Sequence, residues 1–295
     1  MIPRKRTHAQ LPSAHFERFA SIQPLGTDRS GRASAEHGRH QLYVGRDKRT
    51  RADALIKVIT KPGLIYEHNL TNEISTLSTI NRELPDSPYF PSLWDHGRLP
   101  DGRVFVIMSL FDEWPLATTI GPERMPDQLV ARLRTSLEVA TALGDLHRIR
   151  VFHADRNPMN ILYRSEHGRP VIRIVDFESS YDVARHSNGA VYNPAITPGF
   201  CAPEVSERAP DGRADVLSLG AVLYTMIAGY GWTWNARLSS DITADAQIDD
   251  ALKRILLMAV ERDVGRRYQS VWDFRAALMV ASPLVCSCSL FSSLR

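Results

Sequence analysis

The sequence predicts an α+β fold, strand-rich over its first part and mostly helical after it. Three observations lead there. Apolar runs of strand length, broken by turn residues, crowd roughly the first 110 residues. Helical spacing takes over afterwards, above all in 127–148 and 216–227. The length of 295 residues suits one two-lobed domain or two small ones, with ample core.

Taken in order, 16–26 and 40–45 read as strands, 47–51 as a turn and 54–59 as a third strand. Residues 67–80 have helical spacing, with Leu70, Ile74, Leu77 and Ile80 on one stripe and Glu73 beside it. Strands follow at 92–98 and 103–110. The long helix 127–148 carries Leu129, Leu133, Leu137, Leu143 and Leu146 near one face. Residues 161–163 and 171–175 read as two strands joined by a turn through Gly168. The uncharged stretch 276–281 reads as the buried end of a helix and the remainder as a tail.

Composition narrows the function classes. With 43% hydrophobic and 23% charged residues the chain is an ordinary soluble globule. A net charge of +3, evenly spread, argues against a nucleic-acid partner. Three cysteines, Cys201, Cys286 and Cys288, make neither a disulfide framework nor a tetrahedral metal set, which points to a reducing, cytoplasmic compartment. Residues 1–8 are basic but lack the apolar core of a secretory signal. Pro283 and several serines make 276–294 a poor membrane span, leaving only a tail anchor or acylation at Cys286 or Cys288 as a minor membrane route.

The chemistry concentrates between His153 and Glu178, which reads H-A-D-R-N-P-M-N-I-L, a short hairpin, then I-V-D-F-E. Asp155 and Asp176 flank the carboxamide of Asn160, and each group sits at the edge of an apolar run. Folding the hairpin back brings Asp176 near Asn160, where the two can hold a hard divalent cation through oxygen. Asp155 then faces a hydroxyl approaching a cation-bound phosphate.

This stretch resembles the catalytic core of the eukaryotic-type protein kinases, H-R-D-x-x-x-x-N followed by D-F-G. The resemblance covers roughly 16–280 and implies the two-lobed kinase fold: a first lobe over 16–108 after an extension of 1–15, a hinge at 109–113, a second lobe over 114–281 and a tail from 282. It implies Asp155 as catalytic base, Asn160 and Asp176 as ligands of Mg2+ (or Mn2+), and His153 and Phe177 packed behind them. A-L-I-K nominates Lys57 for the α- and β-phosphates of ATP, with Glu73 its ion-pair partner. Met108 falls at the family's gatekeeper, and Ser109, Leu110 and Phe111 at the hinge whose backbone meets adenine. Asp112 or Glu113 reaches the ribose, and Leu162 floors the base. T-P-G-F-C-A-P-E, from Thr197 to Glu204, resembles the end of an activation segment, and D-V-L-S-L-G carries the buried Asp215. E-R-D-V-G-R-R-Y supplies the partner of Glu204, Arg267 or else Arg266.

The match departs in five places. The phosphate-cradling glycines are replaced by a longer stretch in which only Gly26, Gly31 and Gly38 remain; Leu42 falls at the roof of the base, and His37 and His40 at glycine positions. Leu55 replaces a small alanine over the base. Ala154 replaces the arginine that receives an activation-loop phosphate, which predicts activity without such phosphorylation. Asn157 replaces a lysine that steadies the γ-phosphate. Glu178 replaces the glycine of D-F-G, and its side chain is expected in solvent.

Two readings follow from the resemblance. One is a protein kinase transferring the γ-phosphoryl of ATP to a protein Ser/Thr hydroxyl, favoured by Lys57, Glu73, Asp155, Asn160 and Asp176. The other is a pseudokinase acting as a scaffold, favoured by the degraded glycine loop, Leu55 and Asn157. A small-molecule kinase is a third, suggested by the short segment 229–251. The sequence names neither the substrate nor the oligomeric state.

Overall fold

The structure, a computed structural model, describes residues 11, 15–25, 36–37, 39–121, 128–194, 197–229 and 237–281. The chain divides into two compact units, one formed by Met1–Pro85 and Pro91–Asp112, the other by Asp86–Phe90 and Glu113–Arg295.

The first unit is a twisted antiparallel sheet with one long helix. Its strands are β1 (Phe19–Pro24), β2 (Glu36–His37), β3 (His40–Asp47), β4 (Asp53–Ile59), β5 (Leu93–Arg98) and β6 (Val104–Ser109), in the order β1-β3-β4-β6-β5, with β2 paired to β3. Period-2 alternation sorts each strand's side chains between two faces. Tyr43, Ala54, Ile56, Val58, Phe105 and Ile107 bury one face with Phe16 and Phe19. The registers Leu42↔Lys57, Val44↔Leu55 and Leu55↔Met108 set Leu42, Val44, Leu55, Lys57 and Met108 together on the other. Helix α1 (Leu64–Glu83) packs on β4, β5 and β6 through the buried Leu70, Ile74, Leu77 and Ile80. It starts a turn earlier than the sequence predicts, because its first two residues, Leu64 and Ile65, are exposed apolar side chains outside the stripe. The turn after β3 is held by Asp47, whose Oδ1 accepts from the Arg49 and Thr50 amides at 2.8 and 2.9 Å.

The second unit is helical around a buried centre. It contains β7 (Trp114–Pro115), α2 (Leu129–Arg148), β8 (Val151–Phe152), β9 (Ile161–Glu166), β10 (Arg169–Ile174), β11 (Tyr181–Asp182) and α3 (Val183–Ser187). Helices α4 (Gly212–Ala228), α5 (Leu238–Ala244), α6 (Asp250–Ala259) and α7 (Val271–Ala281) complete it. Strands β9 and β10 form the hairpin read from the sequence, extended to Glu166↔Arg169, and β7 adds a third strand. Strands β8 and β11 pair across the catalytic stretch. Helix α4 is buried all round, the expected state of an apolar helix with no polar face. Asp211 caps its first turn, accepting from Arg213 N at 2.9 Å. At its other end Arg132 of α2 donates to the carbonyls of Met226 and Ile227, supplying positive charge where the helix dipole is negative. Among the described residues no helix is long and apolar enough to cross a membrane. Cys286 and Cys288 lie outside them.

Candidate active site

In the first unit the site residues sit on the sheet face opposite the aromatic core. Alternation along β4 turns Lys57 away from Ile56 and Val58, and Lys57 Nζ donates to Glu73 Oε2 of α1 at 2.8 Å. Both side chains are nearly buried, so the pair fixes the ammonium in one place. Leu42, Val44 and Leu55 line the same face, half-buried. Met108 closes it from β6, 3% exposed. Val44, opposite Leu55, went unnoticed in the sequence because no motif singles it out. At the strand end the amides of Ser109 and Leu110 donate to the carbonyls of Ser92 and Asp53, so these two N–H groups belong to the sheet. Phe111 is half-buried and Asp112 exposed. Gly26, Gly31 and Gly38 lie outside the described residues, and His37 pairs with His40 in the β2–β3 hairpin.

In the second unit the catalytic stretch hangs on Asp215. This carboxylate, in the first turn of α4, is fully buried. Its Oδ1 accepts from Ala154 N, and its Oδ2 from His153 N and His147 Nε2, all at 2.9 Å. Burial alone pushes its carboxyl up. The His147 hydrogen bond and the Arg156 charge outweigh that and hold it well below the usual carboxylate range. The anchor holds Ala154 at φ 64, a left-handed conformation that alanine adopts only under constraint. Asp176 carries a second such angle, φ 66.

Asp155 is 7% exposed, and its carboxylate is gripped by Thr197. The Thr197 amide donates to Oδ1 at 2.6 Å and its hydroxyl to Oδ2 at 3.0 Å. Asn157 Nδ2 donates to the same hydroxyl oxygen at 3.0 Å. The amide in the lysine's place is thus bound up in orienting Thr197. Asn160 Nδ2 donates to the Asp155 carbonyl at 3.0 Å, leaving Asn160 Oδ1 as the free-facing acceptor of that amide. Behind them, Phe177 is fully buried and tilts against His153 with ring centroids 5.0 Å apart. His153 Nε2 bonds the Val175 carbonyl at 3.1 Å. Burial first, then the Arg156 charge, pushes His153 down to about 4, so the ring is neutral at pH 7.

Leu162, half-buried in β9, lies opposite Pro115 of β7. Arg267 is buried and bidentate to Glu204, at 2.7 and 3.3 Å, whereas Arg266 is exposed. Arg267 also donates to the carbonyls of Arg213 and Glu261.

Two expectations need correction. Glu178 is 4% exposed, not solvated, because the chain doubles back after Phe177 through Ser180, whose amide and hydroxyl both donate to the Phe177 carbonyl. Glu113 is not an open ribose ligand. It is buried between Arg173 at 3.3 Å and Arg164 at 3.6 Å. The sequence reading also missed Arg156, fully buried beside Asp155, since an arginine next to a loop acid reads as a surface residue.

The donor chemistry fits a hard divalent cation: a carboxylate at Asp176 and an amide oxygen at Asn160 whose nitrogen is already committed. Asp155 is a carboxylate anchored by Thr197, and Lys57 is held by Glu73.

A family model for the protein kinase domain matches residues 39–276. Over 185 residues, 62% of this chain, the sequence is 33% identical to ribosomal protein S6 kinase alpha-2 of Mus musculus and 31% identical to that of Homo sapiens, covering 24% of each. It is 45% identical over 94 residues to ribosomal protein S6 kinase 2 alpha of Xenopus laevis, 31% of this chain and 13% of that protein. The chain therefore spans about a quarter of the length of the first of these relatives. Its fold is similar to that of a double mutant of the PknI kinase domain of Mycobacterium tuberculosis. The TM-score is 0.58 at 20% identity, covering 90% of this chain and 97% of that one. Because the family match takes in every residue from Lys57 to Arg267, the chain belongs to the protein kinase domain family.

Proposed function

We propose that the chain is a protein kinase that transfers the γ-phosphoryl group of ATP to a protein Ser/Thr hydroxyl in a reducing, cytoplasmic compartment. The observation that carries this reading is the seat of Asp155, whose two oxygens are both oriented by Thr197. The two bonds from Thr197 fix the direction in which the carboxylate meets an incoming hydroxyl. Asp155 aligns that hydroxyl and takes its proton as the new O–P bond forms and the bond from the γ-phosphorus to the β,γ-bridging oxygen breaks, releasing ADP. Lys57, immobilised by Glu73, offsets phosphate charge. Asn160 and Asp176 would hold Mg2+, which supplies charge neutralisation on the phosphate oxygens when bound.

Activity independent of loop phosphorylation is part of the proposal. Ala154 offers no cation to a phosphate, and uncharged contacts hold the activation segment instead. Tyr181 stacks on His186 at 4.6 Å, Tyr192 meets both edge-on, and the Tyr192 hydroxyl donates to the Ser179 carbonyl at 3.0 Å. Asp182 caps α3, accepting from Arg185 N. The scaffold reading rests on the half-buried Leu55 and on the glycine-poor stretch.

The test is transfer from labelled ATP with Mg2+ or Mn2+. Asp155→Ala should lower turnover by about 10²–10⁴-fold, and Asp176→Ala should abolish it. Ala at Ser179 or Ser187, and Phe at Tyr181, which keeps the ring contacts, should leave transfer standing. A wild-type chain that transfers nothing to a protein panel leaves the scaffold; transfer only to sugars or aminoglycosides makes it a small-molecule kinase.

A further inference from the structure

Arg156 is the one arginine in the stretch from His153 to Asn160, and it faces inward. Its side chain is among the largest fully buried ones in the chain, and none of its three guanidinium nitrogens has a hydrogen-bond partner among the described residues. A guanidinium carries five N–H donors, so such a group acts on its surroundings through charge, not through a contact.

The charges it acts on are those of the site. Asp155 precedes it in the chain. Asp215 grips the amides of His153 and Ala154, the two residues before Asp155. Both carboxylates lie within electrostatic reach of Arg156. Two acids thereby meet at one buried place, Asp155 from the turn and Asp215 from the first turn of α4; His147 bonds the second, and the flanking positions Ala154 and Asn157 bring no charge to balance the first. Without a cation, Asp155 is driven away from Asp215 and off the Thr197 cap. With one, both acids stay seated, since Coulomb terms in such surroundings are of kcal/mol size even at an effective dielectric constant near 20.

We propose that Arg156 is a positioning residue for phosphoryl transfer: from inside the second unit it balances Asp155 and Asp215 and so holds Asp155 aligned for the acceptor hydroxyl. This rests on the kinase reading given above.

The test compares Arg156→Leu, an apolar filler of the same interior, with Arg156→Lys, which keeps the charge. Arg156→Leu should lower kcat about tenfold or more and leave KM for ATP unchanged, and its thermal midpoint should fall as well, because the buried carboxylates lose their counter-charge. Arg156→Lys should keep most of kcat. Arg156→Leu with wild-type turnover, or Lys and Leu equally impaired, overturns the proposal. If Arg156→Leu does not fold, Arg156→Met serves in its place; failure of both to fold also overturns it, since the charge then serves the fold. A wild-type chain without transfer removes the kinase reading itself, whereas wild-type transfer with an indifferent Arg156→Leu removes only this role.

Discussion

Replacing Asp215 by asparagine tests how the catalytic stretch is held. The carboxylate accepts three hydrogen bonds at 2.9 Å in a fully buried setting. Asparagine keeps one acceptor oxygen. If that oxygen takes the place facing His153 N and His147, its NH2 group meets the Ala154 amide donor to donor. One charge-assisted bond is lost outright, the other two weaken, and Arg156 loses a counter-charge. Bonds to a buried charge are worth about 1.5–3 kcal/mol each, so the loss is about 3–5 kcal/mol. For a chain of this size that lowers the thermal midpoint by about 10 °C. Transfer activity should fall with it at temperatures well below the melt, because Ala154 is released from its left-handed backbone angle. The pH dependence has a definite sign. The folded-state carboxyl is held below its unfolded value, so its contribution is present above about pH 4 and lost as the pH falls through the folded value. The gap between wild type and variant should therefore narrow on acidification. Circular-dichroism melts from pH 7 to pH 3, with transfer assays at pH 7, make the measurement. A variant melting within about 2 °C of wild type at pH 7, with full activity, would refute the claim that Asp215 anchors the stretch.

Two further outcomes follow from packing and burial. A Cβ on Gly144 of α2 would collide with the Trp272 ring, so Gly144→Ala should destabilise by about 1–3 kcal/mol in urea unfolding, and adding Trp272→Ala should recover part of that; a more stable Gly144→Ala shows that the ring is free to move. Burial first, then the Asp155 and Glu204 charges, pushes the Cys201 thiol up to about 12, so iodoacetamide at pH 8 should label it about a thousandfold more slowly than an ordinary cysteine, with fast labelling in urea; fast labelling at Cys201 itself in the native chain, read by peptide mapping, contradicts its burial.

What could be read from the sequence was local and periodic. The alternation of β3, β4 and β6 and the apolar stripe of α1 sit in short windows, and the sixteen-residue spacing made the pairing of Lys57 with Glu73 readable. What escaped depends on partners distant in the chain. Strands β8 and β11 are two residues each, too short for any period to register. The burial of Glu178 follows from the turn at Ser180, and that of Glu113 from Arg164 and Arg173, some fifty to sixty residues on. Arg156 escaped for a different reason. Nothing in composition distinguishes a buried arginine from a solvated one, and the structure is needed to show that it faces the interior.

The clasp between Glu204 and Arg267 spans 63 residues of sequence. Synthesis proceeds at about 5–20 residues per second, so a nascent chain carries Glu204 for several seconds or more before its guanidinium partner exists. During that interval the loop around Glu204 lacks its arginine clasp, although Thr197 already bonds Asp155, and its acid must stay hydrated. The order of translation thus makes the closing of this clasp a late event, and a transcript cut short before Arg267 would yield a protein in which Ala154 and His153 have their Asp215 support but the Glu204 loop never settles.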